Sequence, residues 1–523
     1  MTRALGSLLL VAAAGAFSVG AAPAGQARAA TPLGQVVPAP ASVEAGTSPY
    51  RITRDTRIRV DDSREARRIG AYLADILRPS TGYRLPLTTH GHGGIQLRLG
   101  KGPFGTEGYR LDSGSKRVTI TAREPAGLFH GVQTLRQLLP AAVEKDTVQP
   151  GPWLVAGGTV QDSPRYAYRG AMLDVSRHFF TVTQVKRYID ELALYKINKL
   201  HLHLSDDQGW RIAINSWPRL ATYGGSTQVG GGTGGYYTKA DYQEIVRYAA
   251  SRYLEVVPEI DMPGHTNAAL ASYAELNCNG VAPPLYTGTN VGFSSLCVPK
   301  EVTYSFLDDV IRELAAITPG RYLHIGGDEA HSTSHDDYVK FMDRVQPIVA
   351  KYGKTVIGWH QLTGASPAKG ALAQYWGLDG TSAAEKAQVA RAAQNGTGLI
   401  LSPADRIYLD MKYTKDTPLG LSWAGYVEVQ RAYDWDPGAY LPGAPASSVR
   451  GVEAPLWSET IVNSAHIDYM AFPRLPGVAE LGWSPASTHD WDTYKVRLAA
   501  QGPRWDALGI GYYRSPQVPW PSS

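Results

Sequence analysis

The stretch Tyr322-Leu-His-Ile-Gly-Gly-Asp-Glu329 is a short apolar run that ends on two adjacent carboxylates. Residues 322–325 read as a buried strand, and the glycine pair lets the backbone turn sharply and approach a ligand closely. Two acids therefore stand where a strand hands over to a loop. Desolvating such a pair is costly, and each charge raises the cost of ionising the other. One acid is thus expected to stay protonated near neutral pH, as a general acid must. Against this stands ordinary helix capping, with Asp328 as the cap and Glu329 in a solvated first turn. The surrounding chain has to decide.

On both sides the same grammar recurs. Strand-like runs at 168–175, 199–204, 255–260, 322–325, 355–359, 371–376, 398–402 and 451–457 alternate with helical patterns, among them 182–195, 239–251, 305–316 and 383–393. Eight such units in about 350 residues predict an α/β fold, a (β/α)8 TIM barrel with insertions over residues 166–523, whose active site lies at the C-terminal strand ends. An open doubly wound sheet would want a Gly-rich phosphate turn after its first strand, and Asp174-Val-Ser-Arg177 is not one. Upstream, residues 31–165 alternate short β-like runs (51–60, 95–99, 117–122) with two helical patterns. The first, 64–77, is capped by Ser63 and expected to end before Pro79; the second, 125–139, has Pro125 in its opening turn. This predicts a small α+β domain without a catalytic constellation, in which His90 and His92 are loop residues.

With 43% hydrophobic and 19% charged residues, the 523-residue chain is globular and long enough for two or three domains. A net charge of +4 without a Lys/Arg run, and the lack of RNP-like, zinc-finger or Walker patterning, argue against nucleic acid as a partner. Residues 1–30 carry Arg3, an apolar run over 4–22 and Ala27-Arg28-Ala29, the pattern of a secretory signal peptide. No second span of membrane length follows, so a secreted, soluble protein is expected, without a membrane or lipid anchor. Cys278 and Cys297 are the only cysteines and are expected to form a disulfide, worth about 3 kcal/mol in the chain-entropy model. The Gly-rich segment 224–235 lacks the Lys-Ser/Thr of a phosphate cradle and reads as a mobile surface loop. Asn395-Gly-Thr397 is a glycosylation sequon by pattern alone.

At the expected strand ends stand Arg177, Asp206-Asp207, Asp261, His265, Asp328-Glu329, Trp359-His360, Trp376, Tyr408, Asp410, Trp457 and Glu459, with Trp423 before the last strand. Any one of them alone would read as structural. Repeated at the one barrel position where stability does not ask for them, they point to function. Several tryptophans, several carboxylates and one arginine make the chemistry of a pyranose pocket, since indole stacks on C–H faces and charged groups bridge hydroxyls. A metal hydrolase is the rival, because His201-Leu-His203 has the spacing of paired histidines on a barrel strand. Period two speaks against it: if Asp206 points into the barrel mouth, His201 and His203 face the other way unless a bulge intervenes. No metal or cofactor is therefore expected.

The runs His201-Leu-His-Leu-Ser-Asp-Asp-Gln-Gly-Trp-Arg211, Pro258-Glu-Ile-Asp-Met-Pro-Gly-His265 and His324-Ile-Gly-Gly-Asp-Glu329, with Tyr408-Leu-Asp410 and Trp457-Ser-Glu459, resemble those of the β-N-acetylhexosaminidases of glycoside hydrolase family 20. The likeness covers nearly all of the chain after residue 30 and is close to the secreted Streptomyces enzymes. The resemblance implies a small α/β domain packed on a (β/α)8 barrel and exo hydrolysis of a terminal 2-acetamido sugar. It implies that Glu329 is the general acid and base, Asp328 orients the acetamido group, Tyr408 donates to its oxygen, and Asp206 with His265 supports Glu329. Trp359, Trp376 and Trp423 would wall the acetamido methyl, Trp457 would stack on the ring, and Arg177, Asp410 and Glu459 would hold the hydroxyls. A disaccharide-releasing relative shares these motifs and product sizing separates it. A non-catalytic sugar-binding protein would keep the tryptophans and Arg177 but has no need of Asp328, Glu329 and Tyr408 together.

Overall fold

The computed structural model describes residues 29–92 and 94–521. Residues 1–28, and with them nearly all of the expected signal segment, lie outside the described residues. No described helix is long and apolar enough to cross a membrane.

The N-terminal region is a seven-stranded mixed sheet at whose centre Arg117–Ala122 pairs antiparallel with Tyr109–Gly114 and parallel with Gly94–Leu99. Helices Arg64–Thr81 and Pro125–Leu138 pack on it. Ser63 caps the first through the Ala66 N–H, as expected, but the helix runs through Pro79 and ends at Gly82, which has φ +69°. The proline is tolerated because it and Asp75, whose carbonyl it leaves without a donor, both lie on the exposed face, where water supplies the lost bond. The second helix is buried on every residue from Gly127 onward, as expected of a layer covered on both sides.

Eight parallel strands then close a barrel: β1 Tyr168–Asp174, β2 Lys199–His203, β3 Glu255–Glu259, β4 Tyr322–His324, β5 Thr355–Trp359, β6 Leu372–Tyr375, β7 Gly398–Leu401 and β8 Val449–Leu456. β1 is buried at all seven positions, as a strand must be when helices cover one face and the barrel core the other. The two regions are joined by a buried ion pair. The Arg169 guanidinium of β1 donates to both Glu107 carboxylate oxygens, at 3.2 and 2.6 Å, and Asn198 Nδ2 adds bonds to the same group. Burial alone would push the Glu107 carboxyl up, but Arg169 overrides it and holds the group at about 2.

Candidate active site

β4 stops at His324, and the chain turns over Gly326 and Gly327, at φ +65° and +102°. A side chain at Gly326 could not be accommodated, because its Cβ would lie 1.8 Å from Asp261 Oδ1. The Gly327 N–H donates to that same oxygen at 3.1 Å, so the turn is fastened to the end of β3. Glu329 follows at φ +47°, and His265 sits at φ +56°; these are two of only five non-glycine residues with positive φ among those described. Each such backbone costs on the order of 1–2 kcal/mol and persists only where its surroundings impose it. No helix begins at Asp328. The next one, His335–Lys351, is capped by Ser334, which removes the capping alternative.

One imidazole holds both acids. His265 Nε2 lies 3.1 Å from Glu329 Oε2 and 3.4 Å from Asp328 Oδ2. Its Nδ1 donates to Asp206 Oδ1 at 3.0 Å. Burial would strip the ring of its proton, but Asp206 and Asp328 override that and raise its affinity well above the ordinary histidine value. Asp206 takes three further donors, the Asp207 N–H at 2.6 Å, His203 Nε2 at 2.7 Å and Arg177 Nη1 at 3.0 Å. Against its burial, Arg177, then His265 and His203, hold it well below the carboxylate range. A mutual effect between neighbouring carboxylates operates between Asp261 and Asp328. Burial and the neighbouring Asp328 charge drive the Asp261 carboxyl far up, while Asp328, despite its burial, is drawn down by His265.

The orientation expected for His201 and His203 is wrong. Both point into the barrel interior, where Glu259 Oε2 accepts from His201 Nε2 at 2.7 Å and from His203 Nδ1 at 2.6 Å. β2 ends at His203, and Asp206 belongs to a tight turn closed by its own N–H on Gly209 O. Period two therefore stops before Asp206, whose carboxylate folds back over the strand end. Sets such as His201–Glu259–His324 bring potential metal ligands within 4.8 Å of one another. In this structure those atoms bond to each other: both ring nitrogens of His201 and of His203 face carboxylates.

Trp359, Tyr408 and Trp457 form an apolar cluster apart from the main core, with Trp376 packed against it. Trp359 and Trp457 lie 5.7 Å apart, and Trp423 stands edge-on to Trp376 at 6.1 Å and to Tyr408 at 5.9 Å. Trp423 is 51% exposed, so it forms the rim. Burial, then Asp328 and Asp410, raise the Tyr408 hydroxyl well above 10, which keeps it a donor. The Arg177 guanidinium lies over Trp457 at 5.0 Å and is held by Asp206, Asp174 and Gln208. Among the described residues, Asp328 Oδ1, both Asp410 oxygens and Glu459 Oε2 are buried acceptors without a protein donor. Buried polar atoms are normally satisfied, so this set is shaped for the N–H and O–H groups of a ligand.

The disulfide Cys278–Cys297 is formed. Its loop is tied to the site by the Ser294 hydroxyl, which donates to Asp207 Oδ1 at 2.5 Å, and by the Leu296 N–H on Pro263 O. The segment 224–235, expected to be a mobile surface loop, is clasped at its stem by the buried Arg211, which donates to the Gly225, Thr227 and Gly235 carbonyls at 2.9–3.0 Å; within it, Ser226 and residues 230–233 are exposed. A groove of about 480 Å³ flanks Glu329 and Trp376, and another of about 600 Å³ lies between the two regions, beside Tyr72 and Arg252 and away from the barrel mouth.

Glu259 and Glu453 escaped the reading of the sequence. Each is fully buried, Glu259 as the last residue of β3 and Glu453 within β8, among neighbours that are buried and mostly apolar. The available signal was an acid at an interior position of one strand opposite two histidines at interior positions of the next.

Residues 166–486 match the family model described as glycosyl hydrolase family 20, catalytic domain, and residues 34–163 match domain 2 of the same family. A β-N-acetylhexosaminidase of Cellulomonas fimi is 42% identical over 492 residues, 93% of this chain and 97% of that protein. The family 20 β-N-acetylhexosaminidase of Streptomyces coelicolor A3(2) superposes with a TM-score of 0.94 at 80% identity, covering 94% of this chain and 100% of that one. An N-acetyl-β-hexosaminidase of Streptomyces plicatus, solved in complex with thio-NAglucal, gives 0.94 at 81% identity, with 94% and 99% covered.

Proposed function

Because this chain belongs to glycosyl hydrolase family 20 and is a β-N-acetylhexosaminidase, we propose that it removes single terminal, non-reducing β-linked N-acetylglucosamine or N-acetylgalactosamine units, from chitooligosaccharides and related glycans. The reaction proceeds with retention, through an oxazolinium formed by the substrate's own acetamido group. Family 20 is among the known substrate-assisted exceptions to the two-carboxylate rule, so that label comes with the family. The geometry supplies a reason. Asp328 and Glu329 share the edge of one imidazole and stand side by side, whereas a nucleophile and an acid must face opposite sides of a sugar ring.

In this reading Glu329 protonates the leaving oxygen and later takes a proton from water. His265 occupies its Oε2, which leaves Oε1 for the substrate. Asp328, held ionised, accepts the acetamido N–H and stabilises the cation, while the Tyr408 hydroxyl donates to the acetamido oxygen. Trp359, Trp376 and Trp423 enclose the methyl group, Trp457 stacks on the ring, and Arg177, Asp410 and Glu459 take the O3, O4 and O6 hydroxyls. Those hydroxyl contacts use up the non-reducing end, which supports exo action.

Export is part of the proposal, supported by the signal pattern of residues 1–30 and by a disulfide, which persists in oxidising compartments. The test is stereochemical. NMR of the first product from an aryl β-N-acetylglucosaminide should show the β-anomer, and plain glucosides should be nearly inert. Inversion, or a glycosyl ester trapped on a side chain, would overturn the mechanism. Release of disaccharides from chitooligosaccharides would overturn exo action.

A further inference from the structure

The barrel core carries a continuous chain of hydrogen bonds that ends on the acid. Glu453 Oε1 accepts from His201 Nδ1 at 2.6 Å, and His201 Nε2 donates to Glu259 Oε2 at 2.7 Å. That oxygen also accepts from His203 Nδ1 at 2.6 Å, and His203 Nε2 donates to Asp206 Oδ2 at 2.7 Å. Asp206 then meets His265 at 3.0 Å and His265 meets Glu329 at 3.1 Å. Carboxylate and imidazole alternate throughout. The other oxygen of Glu259 accepts from Trp359 Nε1 at 2.9 Å, so one carboxylate supports both this chain and the wall of the acetamido pocket.

A barrel interior is ordinarily filled by branched apolar side chains, and apolar replacement of buried ion pairs is often neutral or stabilising. Stability alone does not call for these charges. We propose that Glu259 and His203 are positioning residues for the reaction, fixing the charge and orientation of Asp206 and His265 and thereby the pH range over which Glu329 serves as acid. This rests on the reading of Glu329 given above.

Other groups face the chain. Tyr168 and Gln374 donate to Glu453 from β1 and β6. His324, 3.3 Å from Glu259 Oε1, is kept neutral mainly by burial. Arg177 and Asp207 flank Asp206 and His265, and Asp261 and Asp328 complete the ring of charge. In that setting Glu259 and Asp206 hold His203 protonated well above the ordinary histidine value, against its burial. Removing either charge should therefore move the acid in a definite direction.

The experiment is the pH dependence of kcat/KM for Glu259→Gln and His203→Gln, measured on an aryl glycoside with a poor leaving group and on one with an activated leaving group. Glu259→Gln removes a negative charge and should shift the alkaline limb to lower pH; His203→Gln removes a positive charge and should shift it to higher pH. Each shift should be about one pH unit, the effect of a unit charge on the order of 12 Å away, beyond two or three intervening side chains, at an effective dielectric near 20. Losses should be larger for the poor leaving group, which needs the acid. Limbs that coincide with the parent, or that move in the same direction in both variants, overturn the proposal. Should either variant fail to fold, 15N-histidine NMR of the unaltered enzyme decides, since a neutral His203 ring through the neutral range is incompatible with it. Glu329→Gln is read alongside. If that variant keeps the alkaline limb, the reading of Glu329 fails; if the limb disappears there while Glu259→Gln and His203→Gln leave it unmoved, only the positioning role fails.

Discussion

Replacing Asp328 with Asn isolates the charge of the residue assigned to orient the acetamido group. The residue is 7% exposed, its Oδ2 faces His265 at 3.4 Å, and its Oδ1 has no protein donor. An amide of the same shape can still accept the acetamido N–H, so ground-state binding should survive and KM should change little. What is lost is the attraction between a carboxylate and the cation that forms only as the ring closes. For unit charges about 4 Å apart at an effective dielectric near 20, that attraction is about 4 kcal/mol, or roughly a thousandfold in kcat. The assay is steady-state kinetics on aryl β-N-acetylglucosaminides whose acetyl group is fluorinated stepwise. The parent rate should fall steeply as the carbonyl becomes a poorer nucleophile, and Asp328→Asn should lie about a thousandfold below it. A loss under about tenfold, or one carried wholly by KM, would refute the assignment.

Three further outcomes are expected. Tyr408→Phe deletes the buried donor proposed to meet the acetamido oxygen and should lower kcat by about 10²–10³ with little change in KM, as for other single donors to a developing charge; equal loss on substrates with activated and poor leaving groups would fit this role. Glu107→Gln should cost about 3 kcal/mol in denaturant unfolding by leaving the buried Arg169 charge without its counter-ion. Because Glu107 is depressed from 4.5 to about 2, its contribution is present above about pH 4.5 and is lost as pH falls through about 2, so the variant should show a shallower acid decline over that window. Replacing both Cys278 and Cys297 by Ser opens a loop spanning 19 residues and should cost about 3 kcal/mol, read as a lower melting temperature of the enzyme.

The residues that could be read from the sequence are those whose meaning is local. A strand running into Gly-Gly-Asp-Glu, or a tryptophan closing an apolar run as Trp359 closes β5, announces a strand end by itself, and eight repeats announce a barrel. Tyr408, Asp410 and Trp423 lie on insertions rather than on strands, and only the resemblance to a family assigned them roles. Glu259, Glu453 and the direction of His201 and His203 depend on which strand neighbours which and in what register. His203 stands opposite Glu259 and Glu259 opposite His324 because β2, β3 and β4 close side by side, a fact no window of the chain contains. The period-two inference failed for a local reason: the strand ends at His203, before Asp206. The helix continues past Pro79 because both residues of the lost bond face solvent, and the stem of the surface segment 224–235 is held by Arg211, a partner its own window does not contain.

The site is built to place two carboxylates before any substrate arrives, and its construction shows how that placement is maintained. Glu329 and His265 both hold left-handed backbones, and Gly326 admits no side chain because Asp261 occupies the space. Strain of this kind relaxes unless the surroundings forbid it. Here the surroundings are bonded in sequence: Asp261 to the Gly327 N–H, Tyr338 to the Gly327 carbonyl, His265 to both acids, and Asp206 to His265. No single member can shift without breaking a buried hydrogen bond elsewhere. For the proposed reaction, whose nucleophile would belong to the substrate, that rigidity is what the protein would contribute, since the acetamido oxygen would reach the anomeric carbon only with the proton donor and the anion beside it already in place.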